Sequence, residues 1–454
     1  ITVPETIDGL PVTEIANSAL STEQMVRFNG SAVTMRTIEL PATIRKVGEH
    51  IFHGHNVTFD ITTLPNLEEV GTSAFTSHAS EQNNVYNSKP FVLPKTLHTI
   101  GANAFENTSI TDVHIHEENN IGEGAFIRSQ LQQVTMDEGI THIADSLFSD
   151  NAIHSVTLPS TLKSIGANAF TNNKLTTLSL PASVTAIGSS AFSGNALTVA
   201  HLSSDIEYGM SVFAQNAITD VTFDDSIKAI PAGMFEGNEL TSVKLPSTLT
   251  HIGAQSFSQN ALQSIELPTS ITHIGEGAFS SNAFTNVHMS KDVEYGAYVY
   301  ANNKVTTATF DEGITNIPAG MFTYNQLANV TLPHSITHIE PFAFSNNALQ
   351  NIELPRAIAD IGEGAFQHNN ISDLVLSANN EIYGKNVFLH NPLTSVSFAE
   401  GTTHIKDFLF DGTKLTNVTI PEGVTHIGKG AFRENALTSI TIPKSVTTIG
   451  EMAF

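Results

Sequence analysis

The stretch Asn260–Phe279, NALQSIELPTSITHIGEGAF, decides the fold, because close copies of it fill the chain from about residue 90 to residue 454. Its first part, Leu262–Leu267, has the spacing L-x-x-I-x-L and is called the front segment here. Apolar and polar residues alternate within it, which predicts a short strand with one buried face. Pro268 has no N–H to donate and ends this strand. A second apolar set predicts a return leg that closes on an aromatic residue: Ile271, Ile274 and Phe279.

The unit repeats with a fixed length, and its closing aromatic recurs every 22 residues, with a step of 21 at three places. One unit leaves both strand edges open and buries few apolar side chains, so neighbouring units must stack on it. The sequence therefore predicts a repeat solenoid. The regular array has these closing aromatics: Phe105, Phe126, Phe148, Phe170, Phe192, Phe213, Phe235, Phe257, Phe279, Tyr300, Phe322, Phe344, Phe366, Phe388, Phe410, Phe432 and Phe454.

A second, longer period is superimposed on the 22-residue repeat. The units that close on Phe126, Phe213 and Tyr300 lack the Leu-Pro turn and lie 87 residues apart, and a fourth such unit closes on Phe388 after 88. Each is followed by an acidic unit and then by two units that contain proline. We interpret residues 90–454 as a regular array that was lengthened by copying blocks of four units.

Residues 1–89 carry the same signals in degraded form, which is typical of capping repeats. The polar, turn-rich residues at about 76–89 are interpreted as a loop inserted between two units. The chain begins at Ile1 without an initiator Met and ends on a closing Phe. We therefore expect it to be a piece of a longer protein whose targeting segments lie elsewhere.

Composition narrows the function. The chain has 20 Lys and Arg residues against 44 Asp and Glu, a formal net charge of -24, and no cysteine. Nucleic acids and anionic membranes are recognised by clusters of Lys and Arg, so neither is expected as a partner. No apolar run is long enough to span a bilayer, and we expect no direct membrane insertion. The absence of cysteine excludes disulfides and thiolate metal sites.

The string L-T-x-V-x-L-P-x-S-V-T-x-I-G-x-x-A-F, seen at Leu437–Phe454 and Leu175–Phe192, closely resembles the BspA-like class of bacterial leucine-rich repeat proteins. The resemblance implies a right-handed, curved array of short strands joined by short helical or 3-10 turns, with the front segments on the concave side. It also implies a secreted or cell-surface protein of a bacterium or a parasitic protist, engaged in adhesion.

Asparagine follows most closing aromatics by three residues, as Asn260 and Asn282 do. A stacked asparagine can satisfy neighbouring backbone through both its amide and its carbonyl, so we interpret this column as structural. Gly275 is expected where the return leg bends sharply or where it approaches a neighbouring backbone.

Histidine occurs in two columns. His114, His201 and His288 are equivalent but lie four units apart, roughly 19 Å at a strand spacing of about 4.8 Å, so they do not share one metal. Two further pairs occupy the same register of adjacent return legs and should lie within about 5 Å of each other. Two imidazoles without a third ligand make a poor zinc site, so we predict no metal ligand and no cofactor. These pairs are His251 with His273 and His404 with His426.

The acidic turns at Asp137, Asp224 and Asp311 are interpreted as solvated charge, because they lack the glycine-rich calcium repeats of β-solenoids. No nucleophile elbow, H-E-x-x-H motif or phosphate loop is present, and we predict that the chain is not an enzyme.

The sequence thus favours an extracellular binding or adhesion module that presents its concave face to a host protein or glycan. The alternative is a structural spacer that displays other domains, which the bland polar composition of that face also fits. The candidate ligand-binding residues are Asp220, Thr222, Ser242, Lys244, Ser264, Glu266, Asn286, His288, Asn329, Thr331, Asn351 and Glu353.

Overall fold

The computed structural model describes residues 2–21, 38–52, 61–76, 91–376 and 382–454. The chain forms two compact units, Ile1–Asp224 and Asp225–Phe454, and each is described by itself. Both are stacks of repeats joined by parallel pairing between consecutive copies, so the predicted repeat solenoid is confirmed. The division at about residue 90 remains a prediction, and residues 77–89 of the inserted loop lie outside the described residues.

The first unit opens with an antiparallel hairpin of Thr6–Ile7 and Leu10–Pro11, and it contains a 3-10 helix at Ile61–Thr63. Its return legs form two parallel sheets: Glu14–Ile15, Lys46–Val47, Glu69–Val70, Thr99–Ile100 and Asn120–Ile121; then His142–Ile143, Ser164–Ile165, Ala186–Ile187 and Glu207–Tyr208. Its front segments form a four-stranded and a two-stranded sheet: Phe91–Val92, Asp112–Ile115, Gln133–Met136 and Ser155–Val156; then Val199–Leu202 and Asp220–Phe223.

The second unit repeats this pattern. Its return-leg sheets are Ala229–Ile230, His251–Ile252, His273–Ile274 and Glu294–Tyr295; Asn316–Ile317, His338–Ile339 and Asp360–Ile361; and His404–Ile405, His426–Ile427 and Thr448–Ile449. Its front sheets are Asn286–Met289 with Thr307–Phe310, and Asp373–Val375 with Ser395–Ser397.

The front segments differ from the sequence expectation, which gave every unit a strand there. Front ladders recur in the unit without the Leu-Pro turn and in the acidic unit after it, as for Asn286–Met289 and Thr307–Phe310. In the quoted repeat, Leu262–Leu267 carries no ladder and His273–Ile274 is the strand. Pro268 has no N–H, so it cannot donate to a ladder at the end of this segment. The backbone hydrogen bonds between neighbouring front segments lie where the segments begin, as from the Ala261 N–H to the Leu240 carbonyl at 2.9 Å.

The two ladders alternate along the stack. Within the second unit, the return-leg sheet ends at Glu294–Tyr295 and a new one begins at Asn316–Ile317. At this same joint the front segments Asn286–Met289 and Thr307–Phe310 pair over four residues. The joint that lacks return-leg pairing is therefore held by front pairing.

The core is a column of closing aromatics. In the second unit, neighbouring rings from Phe235 to Phe388 and from Phe410 to Phe454 lie 5.5–6.3 Å apart between centroids and are nearly parallel. Phe257 and Phe279 are fully buried. Gly275 approaches the neighbouring backbone, because a Cβ added there would lie 2.4 Å from the Ala254 amide nitrogen. Close approach, and not a sharp bend, is what requires glycine at this position.

The asparagine column is structural, as predicted. Asn282 Nδ2 donates to the carbonyl oxygens of Phe257, Phe279 and Ser280 at 2.8, 3.2 and 3.1 Å. Its Oδ1 accepts from the Leu262 N–H at 3.0 Å. One side chain thus satisfies backbone groups of two consecutive repeats. Equivalent bonds are made by Asn151, Asn173, Asn195, Asn216, Asn260, Asn303, Asn325, Asn347, Asn369, Asn391 and Asn435.

Removing one of these amides should destabilise the array. We expect Asn282→Ala to lower the free energy of unfolding by about 1–3 kcal/mol, because buried backbone groups lose their partners. Asn282→Thr is the matched control, since Thr413 occupies the equivalent place and its Oγ1 donates to the Phe410 carbonyl at 3.0 Å. It should cost less than alanine. Urea unfolding followed by circular dichroism measures both, and equal stability of all three proteins would contradict the asparagine role.

Candidate functional site

The candidate residues on the front segments share one exposed surface, which is called the front face here. All of the candidates are exposed, while the residues between them, such as Val221, Val287 and Ile352, are buried. This alternation is the period of a strand, as the sequence predicts. Binding by these residues remains a prediction. The exposed candidates are Asp220, Thr222, Ser242, Lys244, Ser264, Glu266, Asn286, His288, Asn329, Thr331, Asn351 and Glu353.

A Thr–His–Asp cluster lies on the front face where two front segments pair. In the second unit, His288 Nδ1 lies 3.0 Å from Thr309 Oγ1, and His288 Nε2 lies 3.3 Å from Asp311 Oδ1. His288 and Thr309 are direct register partners, and Asp311 follows Thr309 by two residues on the same face. The pairing of neighbouring strands therefore assembles the cluster.

The first unit contains the same cluster. His201 Nδ1 lies 2.9 Å from Thr222 Oγ1, and His201 Nε2 lies 3.2 Å from Asp224 Oδ1. Sequence reasoning interpreted the acidic residues as solvated turn charge and missed these contacts. The signal was available, because the histidines and the aspartates recur with the same period in consecutive repeats.

The fourth block supplies an internal comparison. Val375 takes the place of the histidine and is highly exposed, with a relative accessibility of 77%. Ala399 takes the place of the aspartate, and Ser397 takes the place of the threonine. Histidine and aspartate are thus present together in three blocks and absent together in the fourth. The histidine and the aspartate of a block therefore occur as a pair.

The aspartates of these clusters are held as carboxylates. The N–H of Ser204, 2.8 Å from Asp224 Oδ2, is the main cause that lowers the pKa of Asp224 below its ordinary value. The N–H of Lys291, 3.3 Å from Asp311 Oδ2, acts likewise on the pKa of Asp311, with a smaller contribution from His288. Each cluster therefore presents a negative charge at neutral pH.

A groove borders each of these clusters. In the first unit it has a volume of about 500 Å³, with one wall from Leu178, Leu180, Pro181 and Val184 and the other from His201, Thr222 and Asp224. In the second unit it has about 400 Å³, with equivalent walls from Ile265, Leu267, Pro268 and Ile271 and from Asn286 and His288. Both volumes fall in the range of small-ligand sites.

The groove arises because the unit without the Leu-Pro turn pairs with the acidic unit after it. Val199–Leu202 pairs with Asp220–Phe223, and no ladder among the described front segments joins it to the proline-containing segment before it. Tyr208 closes the groove beneath, where its Oη accepts from the Ser203 N–H at 3.0 Å. Burial raises the pKa of Tyr208, so its hydroxyl stays protonated.

The paired histidines of the return legs lie as predicted. The rings of His251 and His273 stack with centroids 4.5 Å apart, and so do those of His404 and His426. His273 also meets Glu294, with Nε2 to Oε2 at 2.9 Å. These side chains do not converge on a common metal position. Within the described ranges, the group of three ligands that does so is His114, His116 and Asp137.

The fold defines a leucine-rich-repeat class of protein, and comparison of sequences places the chain within it. The model of the BspA type leucine-rich repeat region matches in six copies, over residues 24–89, 83–198, 206–327, 293–411 and 381–454. The chain therefore belongs to the BspA type leucine-rich repeat family. Repeats of this class are typically scaffolds for protein interaction. No curated protein sequence matches the chain.

Several solved bacterial structures are similar to the chain at low identity. YopM from Yersinia enterocolitica is 17% identical, with a TM-score of 0.46 over 92% of this chain and 84% of that one. The pneumococcal vaccine antigen PcpA is 17% identical, with a TM-score of 0.42 over 83% and 91%. A leucine-rich cell surface protein from Faecalibacterium prausnitzii is 18% identical, with a TM-score of 0.31 over 99% and 86%.

The pKa of Asp311 offers a direct test of the cluster. It should titrate below its ordinary value of 3.8, and His288→Val, the residue natural to the fourth block, should raise its pKa partway, because the Lys291 N–H remains. Since the folded pKa is depressed, the stabilisation is present above the unfolded value and is lost as the pH falls through the folded one. Carbon-13 carboxyl NMR measures this, and an unchanged pKa in the variant would contradict the contact.

Proposed function

We propose that the chain is an extracellular binding or adhesion module whose front face engages a host protein or glycan. The observation that carries the proposal is the repeated pairing of a Thr–His–Asp cluster with an adjacent groove. Two grooves of similar volume and equivalent lining recur one block apart in the sequence. Recurrent sites suit a partner that itself repeats, because several modest contacts add to one avid interaction.

The surface chemistry limits the partner. Each groove has an apolar wall opposite hydroxyl, imidazole and carboxylate groups, which suits a ligand with one apolar and one hydrogen-bonding side. The net charge of -24 disfavours acidic polymers and favours neutral, basic or cation-bridged partners. Membership of the BspA type family supports a bacterial surface or secreted location. No helix in the described residues is long and apolar enough to cross a membrane.

The alternative is a structural spacer that displays other domains. The fourth block favours it, because the histidine and aspartate of the cluster are replaced there by Val375 and Ala399 while the front pairing is kept. A front face made mainly of short hydroxyl and amide groups also lacks the Tyr, Trp and Arg residues that anchor many interfaces. A spacer requires the stack alone and tolerates such losses.

Charge reversal on the two faces separates these functions. The first step is a screen of extracellular matrix proteins and mucin-type glycans at moderate salt, which limits indiscriminate recruitment of basic proteins. Glu266→Lys with Glu353→Lys changes the front face, and we expect it to weaken binding at least about tenfold. The change in stability should stay within about 0.5 kcal/mol, because both side chains are exposed.

The matched control is Glu276→Lys with Glu363→Lys, which makes the same charge change at exposed return-leg positions. It should leave binding intact. Surface plasmon resonance and thermal unfolding provide the two readouts. Disruption by the return-leg pair alone would overturn the front-face assignment, and a broad screen without binding tighter than micromolar would favour the spacer.

A further inference from the structure

The side chains of His114, His116 and Asp137 converge at one end of a front ladder in the first unit. His114 Nε2 lies 2.9 Å from Asp137 Oδ1, and His116 Nδ1 lies 3.0 Å from Asp137 Oδ2. The three ligand atoms all lie within 4.8 Å of one another. Strand pairing assembles the group, because His114 is the register partner of Thr135 and Asp137 follows on the same face.

Both ring nitrogens of His116 face oxygen atoms that can accept a hydrogen bond. Its Nε2 faces the backbone carbonyl of Leu93 at 3.3 Å, and this oxygen can only accept. Its Nδ1 faces the carboxylate of Asp137, which is also an acceptor when ionised. A neutral imidazole carries one proton, so it can donate to only one of these two oxygen acceptors. When the proton lies on Nε2, Nδ1 presents its lone pair to the carboxylate, and a metal ion between Nδ1 and Asp137 would satisfy both groups.

The partners of both histidines suit metal coordination. Thr135 Oγ1 lies 2.7 Å from His114 Nδ1, and the Leu93 carbonyl holds His116 Nε2. With the proton of each ring on the nitrogen away from Asp137, that nitrogen donates to the oxygen partner and the other nitrogen is a bare ligand. Metal-binding histidines are commonly oriented in this way by an oxygen partner on the second nitrogen.

The distances fit a small divalent ion. Zinc bonds to histidine nitrogen at about 2.0–2.1 Å, so ligand atoms at tetrahedral angles lie about 3.3 Å apart. The two histidine nitrogens lie 2.9 and 3.0 Å from the two carboxylate oxygens of Asp137, close to that separation, and the ligand atoms of the three side chains all lie within 4.8 Å of one another. His116 is 8% exposed, whereas His114 and Asp137 are 33% and 41% exposed, so the uncovered side of the group faces solvent.

We propose that His114, His116 and Asp137 form a three-ligand site for a divalent transition-metal ion, with Zn²⁺ as the expected occupant. The fourth position is open to water or to a donor atom of a bound partner. The site belongs to the first block alone among the described clusters, because Ser203 and Ser290 take the place of His116 in the next two. Those two clusters keep a histidine and an aspartate and lack the third ligand.

Local sequence explains why this block accommodates the second histidine. In the later block, the Ser203 N–H donates to the hydroxyl of Tyr208. In the first block, the His116 N–H donates to Asn119 Oδ1 at 2.6 Å, and Ile121 replaces the tyrosine. The buried space beside the front ladder is therefore available to the imidazole of His116.

The test uses the tag-free protein after a chelator has removed any bound metal. The protein is then titrated with Zn²⁺ in a calorimeter. We expect one equivalent to bind to the wild type. His116→Ser, which copies the other blocks, should weaken binding at least about tenfold, since loss of outer partners alone costs 10–100-fold. His114→Val, the residue of the fourth block, should do the same and serves if His116→Ser fails to fold. Co²⁺ should give the visible ligand-field bands of a tetrahedral site.

Two matched controls remove histidines outside the cluster. His201→Ser eliminates a two-ligand cluster and His251→Ser eliminates a stacked pair, and both should bind Zn²⁺ as the wild type does. Zn²⁺ should also raise the melting temperature of the wild type and not that of His116→Ser. Absence of saturable binding to the wild type, or wild-type affinity for Zn²⁺ in both His114→Val and His116→Ser, would overturn the site.

Discussion

The structure depends on the asparagine amide that lies three residues after most of the closing aromatics. In the second unit, Asn282 bonds the carbonyls of Phe257 and Phe279 and accepts from the Leu262 N–H. These backbone groups belong to consecutive repeats. Without the amide the Leu262 N–H would lose its partner, and each carbonyl would lose one of the two asparagine amides that donate to it. The same bonds hold the aromatic rings in register, because most closing rings lie three residues before an asparagine. The three-residue spacing between aromatic and asparagine thus sets both the stacking of the rings and the hydrogen bonds to the backbone.

A second constraint divides the stack into blocks. Where the Leu-Pro turn is missing, a front segment pairs with the acidic unit that follows it, as Asn286–Met289 pairs with Thr307–Phe310. This pairing places His288 against Asp311. A groove lies between the paired segment and the proline-containing segment before it. The change that breaks the regular repeat therefore creates the surface feature that we propose to be functional. Loss of a turn and gain of a site are two results of the same local sequence.

Much of the fold was predictable from the sequence, because residues at equivalent positions of consecutive repeats become neighbours when the repeats stack. The 22-residue step places His251 over His273 and each asparagine against the backbone of the unit before it, and both contacts are present. The Thr–His–Asp clusters were missed, because their members come from consecutive units and meet only if the front segments pair. The sequence predicted this pairing in every unit, so it did not single out the joints where the structure forms it. The H-x-H spacing of His114 and His116 was visible, but the carboxylate of Asp137 completes the group only through that pairing.

Native-state hydrogen exchange tests the alternation of ladders most directly, because the amides of both kinds of front segment can be followed in one sample. Within the second unit, peptides that cover Thr307–Phe310 should exchange slowly, and those that cover Leu262–Leu267 should exchange faster, while His273–Ile274 is protected. This pattern would show that, in this part of the second unit, front pairing lies at the joint that lacks return-leg pairing. Equal protection of Thr307–Phe310 and Leu262–Leu267 would contradict the block structure and remove the basis for distinct sites on the front face.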